Sequence, residues 1–576
     1  MKYSILRKSS LFLFCLALAW PLWPAGSSLA QQRPPAGAPN IGSAVQEVEG
    51  ARPQVQPRRE DPGFLPEESR TEPIPARPGE PTIFVAGFRL DNPPFLKQAE
   101  VQAALAPYVS RSLTMEQLED AADQVSELYR KKGYLLTRAY LPAQNSQDGI
   151  ILLEVLVGRF GGLSLRNGSL VRDSRINAAL RSNMPEGEPV TLKALERTAL
   201  LISDIPGTVT PRLNMDIGEK PGTSDFFAEA FPDKRLAGFF MLDNMGSRYT
   251  GRWRFGAGLD VNSLTGFGDK LSFFGLITEN GDLGNISLTY AFPRFGSGLN
   301  FEIGFSHVRY ELGKEFKDID ATGTSNIVSG TISYPVIRST DRNLTFSLGL
   351  FYKKLEDEME AFQYEEKKSS VSARLGLTYE NWTTMFSKNF YWRFDGGLIM
   401  GKLRMPAGEA KDWDRAGRKT LGDFQYVSLG LQSYLALTEK LNLGLGASSQ
   451  MALAKNLDSS EQFNITGDRG VKAYREAISS DNGWLVGAEL NYTLPSPADG
   501  FSHTLGAFYD IGGWSRAKPP YGLKSSDTLK DIGLSYTINY KDIVLRVRLV
   551  RGLGEYPSEL RRESDTYVST IMMMSF

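Results

Sequence analysis

From about residue 236 to the C-terminal Phe576, apolar and polar positions alternate in short runs. The last run shows the pattern. Val568, Met572, Met574 and Phe576 fall on one face, with Ser569 and Ser575 among those opposite. Period two over about ten residues predicts a strand with one greasy side. Sixteen such runs centre near Phe240, Phe255, Phe273, Leu288, Ile303, Ile332, Phe346, Leu375, Gly397, Leu429, Leu445, Leu490, Phe508, Leu534, Val547 and Met572. Their connections sort by length. After even-numbered runs they are short, as at 265–268, 293–298, 337–343, 438–440 and 541–542. Several others are long and polar, at 355–368, 402–423, 455–483, 514–528 and 551–565. Short turns on one rim and long loops on the other are the build of an outer-membrane barrel, and a soluble sandwich would not sort them so. The predicted class is mainly β, with a 16-stranded antiparallel transmembrane β-barrel.

Between residues 81 and 226 the period changes. Thr82–Leu90 reads as a strand, Phe95–Leu105 and Met115–Lys131 as helices, and Tyr134–Leu141 and Ile150–Val157 as strands. In the second helix Leu118, Ala121, Ala122, Val125, Leu128 and Tyr129 recur at helical spacing, with Thr114 as N-cap and Gly133 at the stop. The same βααββ order returns as strand 162–165, helices 173–181 and 192–203, and strands 208–215 and 226–231.

Residues 31–80 hold ten prolines among Gln, Gly, Arg and Glu, a composition that buries no core, with room for one short helix over Ile41–Glu49. The start reads as a secretory signal. Lys2, Arg7 and Lys8 form a basic head, Leu11–Ala19 an apolar run broken by Pro21 and Pro24, and Ser28-Leu29-Ala30 a small-residue cleavage site. Cleavage there removes three basic residues and takes the formal charge from −1 to −4. It also removes Cys15, the single cysteine, leaving no disulfide or thiolate chemistry. A balance of 65 basic against 66 acidic residues gives no reason to expect a nucleic-acid partner. The predicted organisation is 1–30 signal peptide, 31–80 linker, 81–157 and 158–232 sheet-and-helix modules, and 233–576 barrel.

Candidate chemistry is sparse. The two histidines, His307 and His503, lie inside predicted strands without metal-ligand spacing or a Gly-x-Ser-x-Gly elbow. Gly266-x-Gly268 and Gly444-x-Gly446 open no predicted helix and read as turn and strand glycines. Glu356-Asp357-Glu358 reads as a solvated loop facing the cations of lipopolysaccharide. No catalytic residue, metal or cofactor is expected.

Several motifs carry a resemblance. They are Asp243-Asn244-x-Gly246-Ser247-Arg248 with Thr250-Gly251, Gly266-Phe267-Gly268-Asp269, Leu201 to Gly207 with Pro221 to Asp225, and Lys132-Gly133-Tyr134 with Leu141 to Gln144. Tyr334-Pro335-x-Ile337-Arg338-Ser339 and Ser306…Tyr310-x-Leu312-Gly313 complete the set. Taken in chain order, from about residue 80 to the end, these motifs make the chain resemble two-partner secretion transporters, outer-membrane pores that export hemolysin- and filamentous-hemagglutinin-type exoproteins. The resemblance implies that the two modules are periplasmic POTRA domains. It also implies a long loop folded into the lumen, where Val-Arg-Gly-Tyr sets an arginine against a wall aspartate. Here that stretch is Val471-Lys472-Ala473-Tyr474, and Asp510 in Phe508-Tyr509-Asp510-Ile511-Gly512 takes the aspartate's place. Lysine keeps the charge without the planar fork, and alanine lacks glycine's freedom at positive φ. A looser Lys472–Asp510 contact is expected, with Tyr474 beside it. The alternatives are a solvated Lys472, or Arg469 or Arg475 in its stead.

The resemblance implies a pore that takes an unfolded hemolysin- or adhesin-like client from the periplasm to the surface. Its other partners would be outer-membrane lipid, lipopolysaccharide and the barrel-assembly machinery, the last through the C-terminal strand ending at Phe576. The segment 31–80 is then either a short plug or a spacer. A barrel-assembly factor and a passive porin stay open as alternatives.

Overall fold

The structure is a computed structural model describing residues 39–53, 80–91, 93–145, 148–294, 296–453, 455–516, 524–557, 560 and 564–576. The predicted signal peptide lies outside the described residues.

Sixteen strands close into one barrel. In chain order they are β1 Leu236–Asp243, β2 Arg254–Asn262, β3 Lys270–Thr278, β4 Leu283–Arg294, β5 Leu299–Glu311, β6 Ala321–Arg338, β7 Arg342–Met359 and β8 Tyr364–Met385. Then come β9 Lys388–Arg404, β10 Gly422–Ala436, β11 Leu441–Ala452, β12 Asn482–Thr493, β13 Phe501–Ser515, β14 Ser526–Tyr540, β15 Ile543–Leu553 and β16 Thr566–Ser575. Each predicted centre falls inside its strand. Neighbours in sequence pair antiparallel throughout, and β16 returns to β1. The alternation sets the two faces. In β14, Ile532 and Leu534 lie exposed on the outer surface, while Asp531 and Ser535 are buried on the inner one. A closed ladder leaves no unpaired backbone within the bilayer.

Wall length is uneven. β7 and β8 share eighteen register pairs, whereas β1 and β16 share five, from Phe239↔Ser575 to Asp243↔Ile571. This corrects the expectation of a long loop at 355–368. Only Glu360–Gln363 separates β7 from β8. Leu355, Asp357 and Met359 on one strand, and Tyr364, Glu366 and Lys368 on the other, face the packed interior, and the ladder runs on through them. Asp357, expected in solvent, is 3% exposed.

The first of the two N-terminal units is built from shorter pieces than predicted. The 82–90 strand splits into Ile83–Val85 and Gly87–Arg89, the 150–157 strand splits into Ile150–Leu152 and Glu154–Leu156, and only Arg138–Tyr140 of 134–141 is a strand. An unpredicted strand, Arg111–Leu113, pairs with Ile83–Val85. The main helix is Met115–Lys131, with a reciprocal Thr114/Gln117 capping box at its start. The second unit stacks helices Asp173–Asn183 and Leu192–Ser203 on a three-stranded sheet. Its order is Arg159–Asn167, Thr223–Ala230, Arg212–Ile217.

This second unit is fastened to the barrel's short-turn rim. Arg338 grips Asp204 with two parallel bonds of 2.9 and 2.7 Å. Arg197 donates to the Pro335 and Ser297 carbonyls, and Ser263 Oγ donates to the Leu170 carbonyl. Gly268, at φ +75°, sits so close that a Cβ there would lie 2.2 Å from Ile205 Cγ2. The Gly266-Phe267-Gly268 motif is therefore a docking turn, with Phe267 under the Arg172 guanidinium at 4.0 Å.

Candidate functional site

Among the described residues two segments occupy the lumen. One is the helix Ile41–Ala51, two residues longer than predicted, capped by Asn40. Ile41, Ala44, Val45 and Val48 recur at helical spacing and pack with Met241, Phe274, Leu276, Val308, Tyr310 and Leu355 of the wall. Its first free N–H, on Ile41, is accepted by Asp357 Oδ1 at 2.8 Å, which also accepts from Tyr310 Oη at 2.7 Å. A carboxylate at a helix N-terminus meets the positive end of the dipole. This is the work that Asp357 does instead of facing solvent.

The other occupant is the β11–β12 connection, folded inward and anchored by charge. Lys368 Nζ from β8 meets Asp458 at 2.9 Å and Glu366 at 3.1 Å, while Lys353 from β7 meets Glu461 at 2.7 Å. Arg548 from β15 holds Asp468. Burial opposes ionisation of Asp458, but the Lys368 ammonium outweighs it and holds the carboxyl below its usual range.

Helix and connection touch directly. Gln46 Nε2 donates to the Ser459 and Gln462 carbonyls at 2.9 and 2.8 Å, and Ser479 Oγ donates to Gln46 Oε1. One turn earlier is Gly42, where a Cβ would lie 2.4 Å from Ser459 Oγ and 2.6 Å from its carbonyl carbon. The approach needs glycine for space. Glu47 accepts from Ser247 N–H at 3.2 Å and lies 3.7 Å from Arg254, which is paired more closely with Asp243 at 2.8 Å. Burial, against the pull of Arg254, pushes the Glu47 carboxyl up to about 7.

The structure brings Lys472, Tyr474 and Asp510 to one place. Lys472 Nζ is 2.6 Å from Asp510 Oδ2 and 5.0 Å from the centre of the Phe508 ring. Tyr474 is buried among Ile465, Val471, Phe508, Trp514 and Val550, and its ring faces Tyr556 at 5.6 Å. Neither arginine alternative takes Asp510's partner role. Arg469 donates to the Arg52 carbonyl, and Arg475 lies 4.6 Å above the Tyr567 ring. Ala473 is not among the residues at positive φ, so glycine's freedom is not needed here. Its N–H donates to Asp531 Oδ2 at 2.7 Å. Sequence reasoning missed Asp531, which pairs in register with Asp510 on the next strand. Its signal was the alternation Asp531, Gly533, Ser535 against Ile532 and Leu534.

The family described as haemolysin secretion/activation protein ShlB/FhaC/HecB matches residues 222–533, and the ShlB-type POTRA domain matches 83–158. The first of these spans more than half of the sequence. The chain belongs to this family. It is an outer-membrane two-partner secretion transporter: a barrel with POTRA modules that exports an exoprotein. Among its relatives, the heme/hemopexin transporter protein HuxB of Haemophilus influenzae strain 86-028NP is 27% identical over 87% of this chain and 90% of its own length. The outer membrane transporter CdiB of Escherichia coli is 23% identical over 78% of this chain and 75% of its own. Among solved structures, CdiB from Escherichia coli superposes with a TM-score of 0.70 at 18% identity, covering 93% of this chain and 96% of that one. CdiB from Acinetobacter baumannii gives 0.62 at 15% identity, covering 93% and 97%. Among the described residues no group of His, Cys, Asp and Glu could hold a metal ion.

Proposed function

We propose that the transporter passes its client unfolded, and that the lumen helix and the inward connection set the resting state. The observation that carries this reading is the filled lumen of a closed barrel. One occupant is a helix outside the barrel's own strand order, and the other is pinned by Lys472–Asp510, with Tyr474 buried beside the pair. Passage of a polypeptide requires the helix to leave. Capture falls to the periplasmic sheets. The strand Arg212–Ile217 is an edge strand with Met215 and Ile217 exposed, and it offers unpaired backbone to any extended chain. Such binding makes few demands on client sequence, as export of a large unfolded protein requires. No catalytic step is part of this reading.

The proposed organisation keeps 1–30 as signal peptide, 31–80 as linker with a plug helix, 81–157 and 158–232 as POTRA domains and 233–576 as barrel. The proposed clients are hemolysin- or adhesin-like. Lipopolysaccharide would surround the outer rim, and the barrel-assembly machinery would read the strand ending at Phe576. Deletion of 39–53 from the full chain tests the gating part. Single-channel conductance in planar bilayers should rise severalfold, and an unchanged conductance would sink the plug assignment. Loss of one secreted protein from the medium on removal of the transporter would identify the client.

A further inference from the structure

At the outer end of the β9–β10 hairpin lies a cavity of about 630 Å³. Buried Leu403 and Met405 form its floor, with Leu421 beside them, and four cations stand around it: Arg404, Lys411, Arg415 and Lys419. We propose that this cavity binds the phosphate-bearing headgroup of an outer-leaflet glycolipid, a reading that rests on the outer-membrane placement of the barrel.

Three observations carry it. First, the cluster is not neutralised from within. Asp414 is the one carboxylate lining the cavity, and its oxygens are taken by Thr420 N–H, Leu421 N–H and Thr420 Oγ. Among the described residues Arg404, Lys411 and Lys419 have no carboxylate within ion-pair distance. The Arg415–Asp412 pair, at 3.8 Å with both side chains well exposed, is a weak surface contact. An anion seated in the cavity would meet positive charge from all four side chains.

Second, the elements aim the cations together. Lys411 and Arg415 are four residues apart on the helix Glu409–Ala416 and so share a face. Trp413 on that helix stacks on Tyr364 at 5.0 Å and fixes its seat over the barrel top. Arg418 turns to Glu366 in the interior, while its neighbour Lys419 remains on the cavity side.

Third, the height fits a lipid headgroup, and Arg404 reaches it from the outer face while Leu403 and Met405 point inward. Arg404 is in register with Ser369, two positions from Lys402↔Val371, on the face where Val371 and Met400 are exposed to the bilayer. This rim is opposite the turns that carry the second periplasmic unit, and so is at the level of the outer-leaflet headgroups. Arginine forks suit phosphate oxygens with two parallel bonds, and lysines add point charge. Basic pockets at such depth are a recurrent means of holding anionic headgroups.

The test uses the full chain in phosphatidylcholine nanodiscs, with retention read by native mass spectrometry. The probes are bisphosphorylated lipid A, the same lipid A stripped of phosphate, and inorganic phosphate. Bisphosphorylated lipid A should be retained, and the dephosphorylated form should not. The double variant Lys411→Gln/Arg415→Gln should weaken retention at least tenfold, while Lys411→Arg should keep it. Equal retention of the dephosphorylated lipid, or full retention by the double variant, would overturn the proposal. So would displacement by inorganic phosphate at matching concentration, which would mark a site for the free anion. Heat-modifiable migration reports that each variant is folded. Bilayer conductance unchanged in the double variant keeps the pore reading separate from this result.

Discussion

The two occupants of the lumen are held by different physics. The helix Ile41–Ala51 presents an apolar stripe chiefly to β5, β6 and β7, and adds a few hydrogen bonds. The β11–β12 connection is tied at both ends to the barrel. It is pinned along its length by wall cations: Lys353, Lys368 and Arg548 on Glu461, Asp458 and Asp468. Contacts between smooth apolar faces release a rigid rod as one unit. Buried ion pairs release nothing until each charge finds another partner. On the proposed reading the helix departs, and the connection stays or shifts only when charges are exchanged.

The largest effect expected is at Lys368, which is almost fully buried among Asp458, Glu366 and Asp357. Lys368→Met leaves Asp458 without its cation and Glu366 with Arg418 alone, and breaking a buried pair in this way costs roughly 3–5 kcal/mol. Loss of heat-modifiable migration at a lower temperature would report it, and wild-type behaviour would remove charge from the account of the connection. Next come Lys472 and Asp510. Each single change, Lys472→Asp or Asp510→Lys, should abolish export, and the exchange of both should restore part of it. A double variant as dead as either single one would reject the pairing.

Gly42→Val acts on the other occupant. The added side chain meets the Ser459 backbone and should push the helix out, with conductance approaching that of the 39–53 deletion. A pH titration distinguishes the occupants more gently. Glu47 has its carboxyl raised from 4.5 to about 7 in the docked helix, among Arg254, Asp243 and Glu476. Docking therefore takes up a proton. It is strongest below pH 4.5 and weakens as pH rises through 7. Conductance should increase over that window and become flat in Glu47→Gln. The smallest effect lies outside the lumen altogether. Thr114→Ala removes a helix cap in the first periplasmic unit and should cost about 1 kcal/mol there, leaving conductance unchanged.

The barrel was legible because strand period and turn chemistry are local. All sixteen centres, and the short turns from Thr265–Gly268 to Lys541-Asp542, follow from residues adjacent in the chain. What stayed hidden was non-local. Asp357 reads as one of three acids in a polar run, and only the arrival of Ile41, 316 positions away, makes it a helix cap. Lys472 and Asp510 were found because a resemblance named their places, whereas Asp531 had only its alternation to mark it. The two-residue turn Phe386-Ser387, with φ of 53° and 59°, uses none of the residues that announce such geometry. Arg111–Leu113 is too short to show a period at all.

The five-pair ladder between β1 and β16 has a consequence for how the molecule comes into being. Asn244 bonds Thr570 across it, joining points 326 positions apart. Every other ladder in the cylinder links strands that follow one another along the chain and can zip as each hairpin forms. This one must wait until all sixteen staves stand, because bringing such distant ends together carries the highest loop-closure entropy in the fold. It also returns the fewest bonds, so the hoop is fastened last and at its narrowest clasp.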